Sequence, residues 1–252
     1  MTPIDKIMQT PEAKWVDHQI AHLPDRVKFR AASALRSLKW SSQIYDLGLA
    51  IPASYFALHA TEEAVAAFVT CAKVHGYGDD ANINLRDHRQ KSVVSLLVQN
   101  VGSLLEQFKL GVALHPKSGK IAVRYLHESN VAHAEASTGL INVVNSEGEF
   151  TPDFYDQIQR QLGDVEVIKN EVTRIQEGRN HILYASKKGL PTGFLDPEGQ
   201  LRRECMLTLA LVWVCIDIKE HGGERIPFIQ QALRTANIVI SDLESKKRAV
   251  PR

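Results

Sequence analysis

Only three cysteines occur in 252 residues, Cys71, Cys205 and Cys215, and no two have Cys-x-x-Cys spacing. So sparse and odd a set argues against a disulfide framework and fits a reducing compartment, with thiols acting as small hydrophobes. An excess of one charge is missing too: 30 Lys+Arg stand against 29 Asp+Glu, a formal net charge of +1. Bulk charge therefore gives no ground for nucleic-acid or anionic-membrane binding, and any phosphate site has to be a local cluster. Long hydrophobic runs are absent. The longest, Met206 to Ile218, is broken by Thr208 and ended by Asp217 and Lys219. It is too short for a bilayer of about 30 Å and reads as a buried core helix. Met1 to Gln9 carry Asp5 and Lys6 and no apolar stretch, so no signal peptide is expected. These absences together lead to the expectation of a cytoplasmic protein with no membrane partner.

The usual signatures of cofactor and metal chemistry are lacking as well. There is no Gly-x-Ser-x-Gly and no Gly-x-Gly-x-x-Gly, and Gly119-Lys120 is followed by Ile121 rather than Ser or Thr. A hydrolase elbow, a dinucleotide fold and a P-loop are all disfavoured. No His-Glu-x-x-His or di-iron Glu-x-x-His pair is found. His127 and His133 would stand about 120° apart around a helix. No metal and no cofactor is expected.

What the chain does have is helical spacing, with 44% apolar and 23% charged residues, ordinary globular values. Val27, Ala31, Ala34, Leu35 and Leu38, then Tyr45 and Leu49, form one stripe. From Pro52, Ala53, Phe56, Ala57, Ala60, Ala64, Ala67, Phe68 and Cys71 form a second. Asp87 and Gln90 read as a capping box opening a third helix, with Val93, Leu97, Val101, Leu104 and Phe108 on one face. A weaker helix is expected over about Lys120 to Val144, and one long helix from about Pro152 to Lys187. Arg203 to Glu220 is apolar nearly all round, which marks a central helix, and Pro227 starts a last one with a basic tail at Lys246, Lys247, Arg248 and Arg252. Linkers are short and no repeat is visible. The expected fold class is therefore all-α, one helical-bundle domain spanning 1–252.

Several polar residues sit where a plain bundle would not need them. Glu63 falls about 60° from the centre of its helix's apolar stripe, whereas Glu62 points away. Arg179 falls about 20° from the stripe of the long helix, between Ile175 and Leu183. A buried guanidinium needs a partner, because its desolvation costs several kcal/mol; Glu63 is the natural candidate. Such a pair either fixes helix register or orients a functional face. Arg174 and His181, seven residues apart, share a face opposite the stripe. They are either a solvated surface or a grip for phosphate with a histidine able to move a proton. The run Asp87-His88-Arg89-Gln90-Lys91 at a helix start is either an N-cap or an anion site.

The order of these features resembles a known family. Leu58-His-Ala-Thr-Glu62-Glu63-Ala-Val-Ala-Ala-Phe68 is followed some twenty residues later by Asp87-His88-Arg-Gln-Lys91, and far downstream by Arg179-Asn180-His181-Ile-Leu-Tyr184. The pattern is similar to that of the AbiV group of abortive-infection proteins within the HEPN superfamily, over roughly Ala31 to Pro197. That group has an Ala-rich helix with a Glu-Glu segment, a DHxxK-like element, then a basic residue ahead of a Leu-Tyr pair. Ala66 stands where the family commonly carries Lys.

The resemblance implies a HEPN-like antiparallel bundle with extra helices, its core at about 26–197 and C-terminal helices at 203–247. It also implies a homodimer. Many HEPN proteins are metal-independent endoribonucleases with an Arg-x(4–6)-His motif, and Arg174-x6-His181 has that spacing. On the family analogy Arg174 binds the scissile phosphate and His181 exchanges a proton with the 2′-OH or the leaving oxygen. Glu63, Asp87, His88, Lys91, Arg179, Asn180 and Tyr184 would support or bind. A second register, Arg179-Asn180-x3-Tyr184, puts Tyr where the common motif has His and implies a non-cleaving relative. Two functions follow: an RNA-cleaving or RNA-binding toxin in phage defence, or a non-catalytic helical protein that binds a phage or host protein and blocks translation. Near-neutral charge favours the second.

Overall fold

In the computed structural model the described residues are 1–107, 110–127, 130–183 and 196–248, with no side-chain description at 104–107, 126, 127, 176, 178, 179, 181–183 and 246–248. Two short helices come first, α1 (Pro3–Met8) and α2 (Pro11–Gln19). Each starts with the same dipeptide. Thr2 and Thr10 cap through their hydroxyls, and Pro3 and Pro11 fill the first turn, where a missing N–H costs nothing.

The bundle proper is built from α3 (Asp25–Asp46), α4 (Ala50–Val74), α5 (His88–Gln107), α6 (Tyr155–Leu162), α7 (Val165–Leu183), α8 (Pro197–Glu220) and α9 (Pro227–Arg248). Helix α4 is its axis. Ala64, Val65, Ala66, Ala67, Phe68 and Val69 are all buried in succession, so this part of α4 has no solvent face. Helix α3 packs on one side of it, α8 on another, and α5 and α7 complete the surround. The alanines at 53, 57, 60 and 64 let α3 approach closely; all four are fully buried, as are Ala31 and Ala34 opposite. Helix α8 is buried on most sides as expected for a central helix, through Leu201, Cys205, Leu211, Val212, Cys215 and Ile218. The thiols behave as core hydrophobes: burial pushes Cys205 up to about 12 and Cys215 well above its usual range.

Mostly helical architecture is what the spacing predicts, but two expectations fail. The helix expected over Lys120 to Val144 is instead part of a three-stranded antiparallel sheet, β1 (Gly111–Leu114), β2 (Ile121–His127) and β3 (Asn130–Glu135), in the order β1-β2-β3. The chain is thus not strictly all-α. Strand β2, Ile-Ala-Val-Arg-Tyr-Leu-His, is rich in β-branched and aromatic residues. Gly119 turns the first hairpin at φ +66°, where His115 N–H donates to the Lys120 carbonyl at 2.7 Å. Ile121 and Ala122 tuck into the body, and beyond β3 the buried Asp217 of α8 accepts from the Thr138 backbone N–H at 2.8 Å and from its hydroxyl.

The second failure concerns the long helix from Pro152 to Lys187, which is two helices. Gly163 breaks it at φ +105°, and the Asp164 carboxylate caps α7 by accepting from the N–H groups of Glu166 at 2.9 Å and Val167 at 3.1 Å. Among the described residues no helix is long and apolar enough to cross a membrane.

Candidate functional site

Four helices that are far apart in sequence enclose a cleft of about 220 Å³. Helix α4 contributes Leu58, Thr61 and Glu62; α5 contributes His88, Ser92, Ser95 and Gln99. Helix α7 adds Arg174, Ile175 and Asn180, and α8 adds Gln200, Arg203, Glu204 and Leu207. Of the residues singled out in the sequence, His88, Arg174 and Asn180 therefore meet in one place.

Asp87 does what a cap should. Its Oδ1 accepts from the Arg89 N–H at 2.8 Å, while its carbonyl accepts from the Lys91 N–H at 3.2 Å. The reciprocal half of the expected capping box is displaced: Gln90 Oε1 accepts from the Asn84 N–H, at 2.7 Å, rather than from Asp87. This start aims His88 and Lys91 back at α4, where one carboxylate receives both. Glu62 Oε1 lies 2.9 Å from His88 Nδ1, and Glu62 Oε2 accepts from Lys91 Nζ at 3.1 Å. The Glu62 and Lys91 side chains are only 15% and 7% exposed, whereas that of His88 is 40% exposed, on the wall of the cleft.

The phase reading of α4 turned Glu62 away from the core, yet Glu62 is the carboxylate that anchors His88 and Lys91. Glu63 is half-buried, at the edge of the core as expected. A single-stripe projection assumes one buried face, and α4 is packed against neighbours on all sides. Ala66, standing where the resembled family commonly carries Lys, is buried, so this position holds no charge to assist the site.

Arg174 stands at the mouth with its side chain 62% exposed, clamped by Glu171 one turn earlier. Its Nε donates to Glu171 Oε2 at 2.9 Å and its Nη2 to Oε1 at 2.5 Å. That fork holds the Glu171 carboxyl below its usual range and pushes the guanidinium further up. Nη1 keeps its donors for another oxygen. His181 follows Asn180 on the α7 backbone; its side chain, that of Arg179, and Tyr184 lie outside the described residues, and the expected Arg179–Glu63 contact lies outside them too.

The inner end of the cleft was missed in the sequence. Glu204 is buried, and its Oε2 accepts from the Thr61 hydroxyl at 2.7 Å. Thr61 also lies 3.3 Å from Thr208 Oγ1, and Arg203 Nε is 3.6 Å from Glu204 Oε1. Desolvation raises the Glu204 pKa, with Thr61 and Arg203 acting the other way. Gln200, Glu204 and Thr208 recur at four-residue intervals along α8. A polar line at helical spacing inside an otherwise apolar helix was the available signal.

No family model, curated protein or solved structure matches this chain. The cleft has to be read from its own chemistry. It gathers guanidinium groups from two helices, an imidazole, three amides and two carboxylates over partly apolar walls. Such a set can hold a phosphodiester at its mouth and a flat polar group inside. Among the described residues no three His, Cys, Asp or Glu side chains are grouped to hold a metal ion.

Proposed function

We propose that this cleft binds single-stranded RNA and cleaves it without a metal, and that the protein acts in phage defence inside the cell as an AbiV-like, HEPN-type helical bundle. One observation carries the reading: Glu62, His88 and Asn180, one from each of the three sequence elements that resemble AbiV, line one cavity together with Arg174. Nothing in a generic bundle requires three such segments to converge.

In the proposed reaction the 2′-oxygen of one nucleotide bonds to the adjacent phosphorus and the bond to the 5′-oxygen breaks. A 2′,3′-cyclic phosphate and a 5′-hydroxyl result. The 2′-OH proton leaves, and the departing 5′-oxygen gains one. His181 is the residue assigned to one of these transfers. Arg174 meets the charge that builds on the phosphoryl oxygens, with Glu171 holding its guanidinium in position. Asn180 and His88 orient the strand along the wall.

The test is incubation of the purified protein with RNA in excess chelator. Cleavage is expected, falling by about a hundredfold or more in Arg174→Ala and in His181→Ala, with unchanged circular dichroism. A protein that neither binds nor cuts RNA would refute the reading.

A second reading has its own support. Phe29 and Trp40 on α3 and Leu47 just past its end are exposed, with Arg36 stacked over Trp40 at 5.0 Å. Such a set suits protein contact, either with a second copy in a homodimer or with a phage or host protein whose capture blocks translation. Capture and protection that survive both Arg174→Ala and His181→Ala would favour it over the nuclease.

A further inference from the structure

The inner end of the cleft carries one acceptor without a hydrogen-bond partner and, beside it, a carboxylate only partly engaged. Gln200 is 2% exposed and lines the cavity, yet its Oε1 is buried with no hydrogen-bond partner among the described residues. Buried carbonyl oxygens are rarely left so, because the loss of water is uncompensated. One turn further along α8, on the same face, stands Glu204. Its Oε2 accepts from Thr61, and its Oε1 is held only by a long ion pair with Arg203, whose Nε stands at 3.6 Å, beyond hydrogen-bond length. Leu58, Ile175 and Leu207, from three different helices, supply apolar walls. The combination is a slot with greasy sides and a floor of acceptors.

A ligand that fits must be flat and must present adjacent N–H donors along one edge. Among the four RNA bases guanine alone does so, with N1–H beside the N2 amino group. Adenine and cytosine place a ring-nitrogen acceptor beside their amino group, and uracil flanks its single N–H with carbonyls. Those bases would set acceptor against acceptor. We propose that the inner end of the cleft holds the Watson–Crick edge of a single guanine base, its N–H donors on Glu204 and Gln200 and its faces between Leu58, Ile175 and Leu207. This deepens the RNA reading and rests on it for the ligand class: the base site would choose where the strand lies while Arg174 meets phosphate at the mouth. Unstacked bases held by edge contacts and apolar side chains are the usual route to sequence choice in single strands.

The test is calorimetry on the wild-type protein with the 5′-monophosphates of guanosine, inosine, adenosine, cytidine and uridine. All five carry the same phosphate, so phosphate binding cancels. Guanosine monophosphate is expected to bind at least about tenfold more tightly than inosine monophosphate, which lacks only the N2 amino group, and more tightly still than the rest. Equal affinity across the series, or no binding at all, overturns the proposal. Gln200→Leu should reduce guanosine monophosphate to the inosine level without lowering Tm. If that variant does not fold, the wild-type series still decides. RNA cut with no base preference would leave the nuclease reading standing and this one refuted. Selective guanine binding with intact RNA would do the reverse.

Discussion

Lys91 is the most exacting single residue in the site, because its ammonium is nearly out of water and Glu62 is the carboxylate that meets it. A buried pair of this kind adds little net stability when whole and costs several kcal/mol when halved. Glu62→Ala should therefore destabilise the fold by about 3 kcal/mol, read as a fall in Tm of roughly 6–12 °C for a chain of this size. Glu62→Met combined with Lys91→Met should recover part of that loss, since the Lys91 ammonium is then not stranded. The His88 contact adds little to this figure, its side chain being 40% exposed. Glu62→Ala melting with the wild type would show that Lys91 finds water or another partner. At this scale the sequence was half legible. Asn180 was implied by the family resemblance, and His88, Lys91 and Arg174 stood out as polar groups able to meet an anion. Glu62 did not, because angular projection works only on a helix with one wet side.

Between elements, the instructive site is the joint of α6 and α7. Gly163 sits at φ +105°, ψ −167°, a region essentially reserved for glycine, and a Cβ there would stand 3.1 Å from Val167 Cγ2. Gly163→Ala should cost about 2 kcal/mol or more in chemical denaturation. Gly102 provides the control: it is exposed within α5, towards its C-terminal end, with nothing within 4 Å of its would-be Cβ, so Gly102→Ala should gain about 1 kcal/mol. A similar response at both sites would mean that α6 and α7 are continuous. The signals for the break, a glycine followed by an aspartate able to cap, are written in the sequence, but the apolar stripe runs unbroken across them. The sheet was hidden for a different reason. Strand β2 follows two buried residues, Ile121 and Ala122, with increasingly exposed ones, and β3 is nowhere fully buried among its described side chains. Neither shows the period-two alternation that a half-buried strand displays. The α8 floor was obscured in turn because Thr208 and Glu204 were absorbed into a run read as core.

At the scale of the whole molecule, near-neutral charge and a phosphate-binding cleft have to be reconciled. Each basic group at the cleft already faces a carboxylate: Lys91 and His88 meet Glu62, Arg174 meets Glu171, and Arg203 stands beside Glu204. An RNA phosphate arriving at Arg174 shares an existing ion pair rather than entering a field of unpaired positive charge. The affinity of single-stranded RNA should therefore depend only weakly on salt. With one or two phosphates neutralised and a slope of about −0.7 per phosphate, log Kd should change by no more than about 1.5 per tenfold change in salt. A basic groove meeting six to ten phosphates would give a slope of roughly −4 to −7. Fluorescence anisotropy of a labelled oligonucleotide between low and physiological salt separates the two. A steep slope would place the affinity outside the cleft, the run Lys246, Lys247, Arg248 and Arg252 being the densest basic tract near the end of the chain, and a version lacking those four charges would then lose it. A shallow slope that persists in that version, and steepens when Glu171→Gln frees the Arg174 fork, would locate phosphate recognition at the mouth of the four-helix cleft.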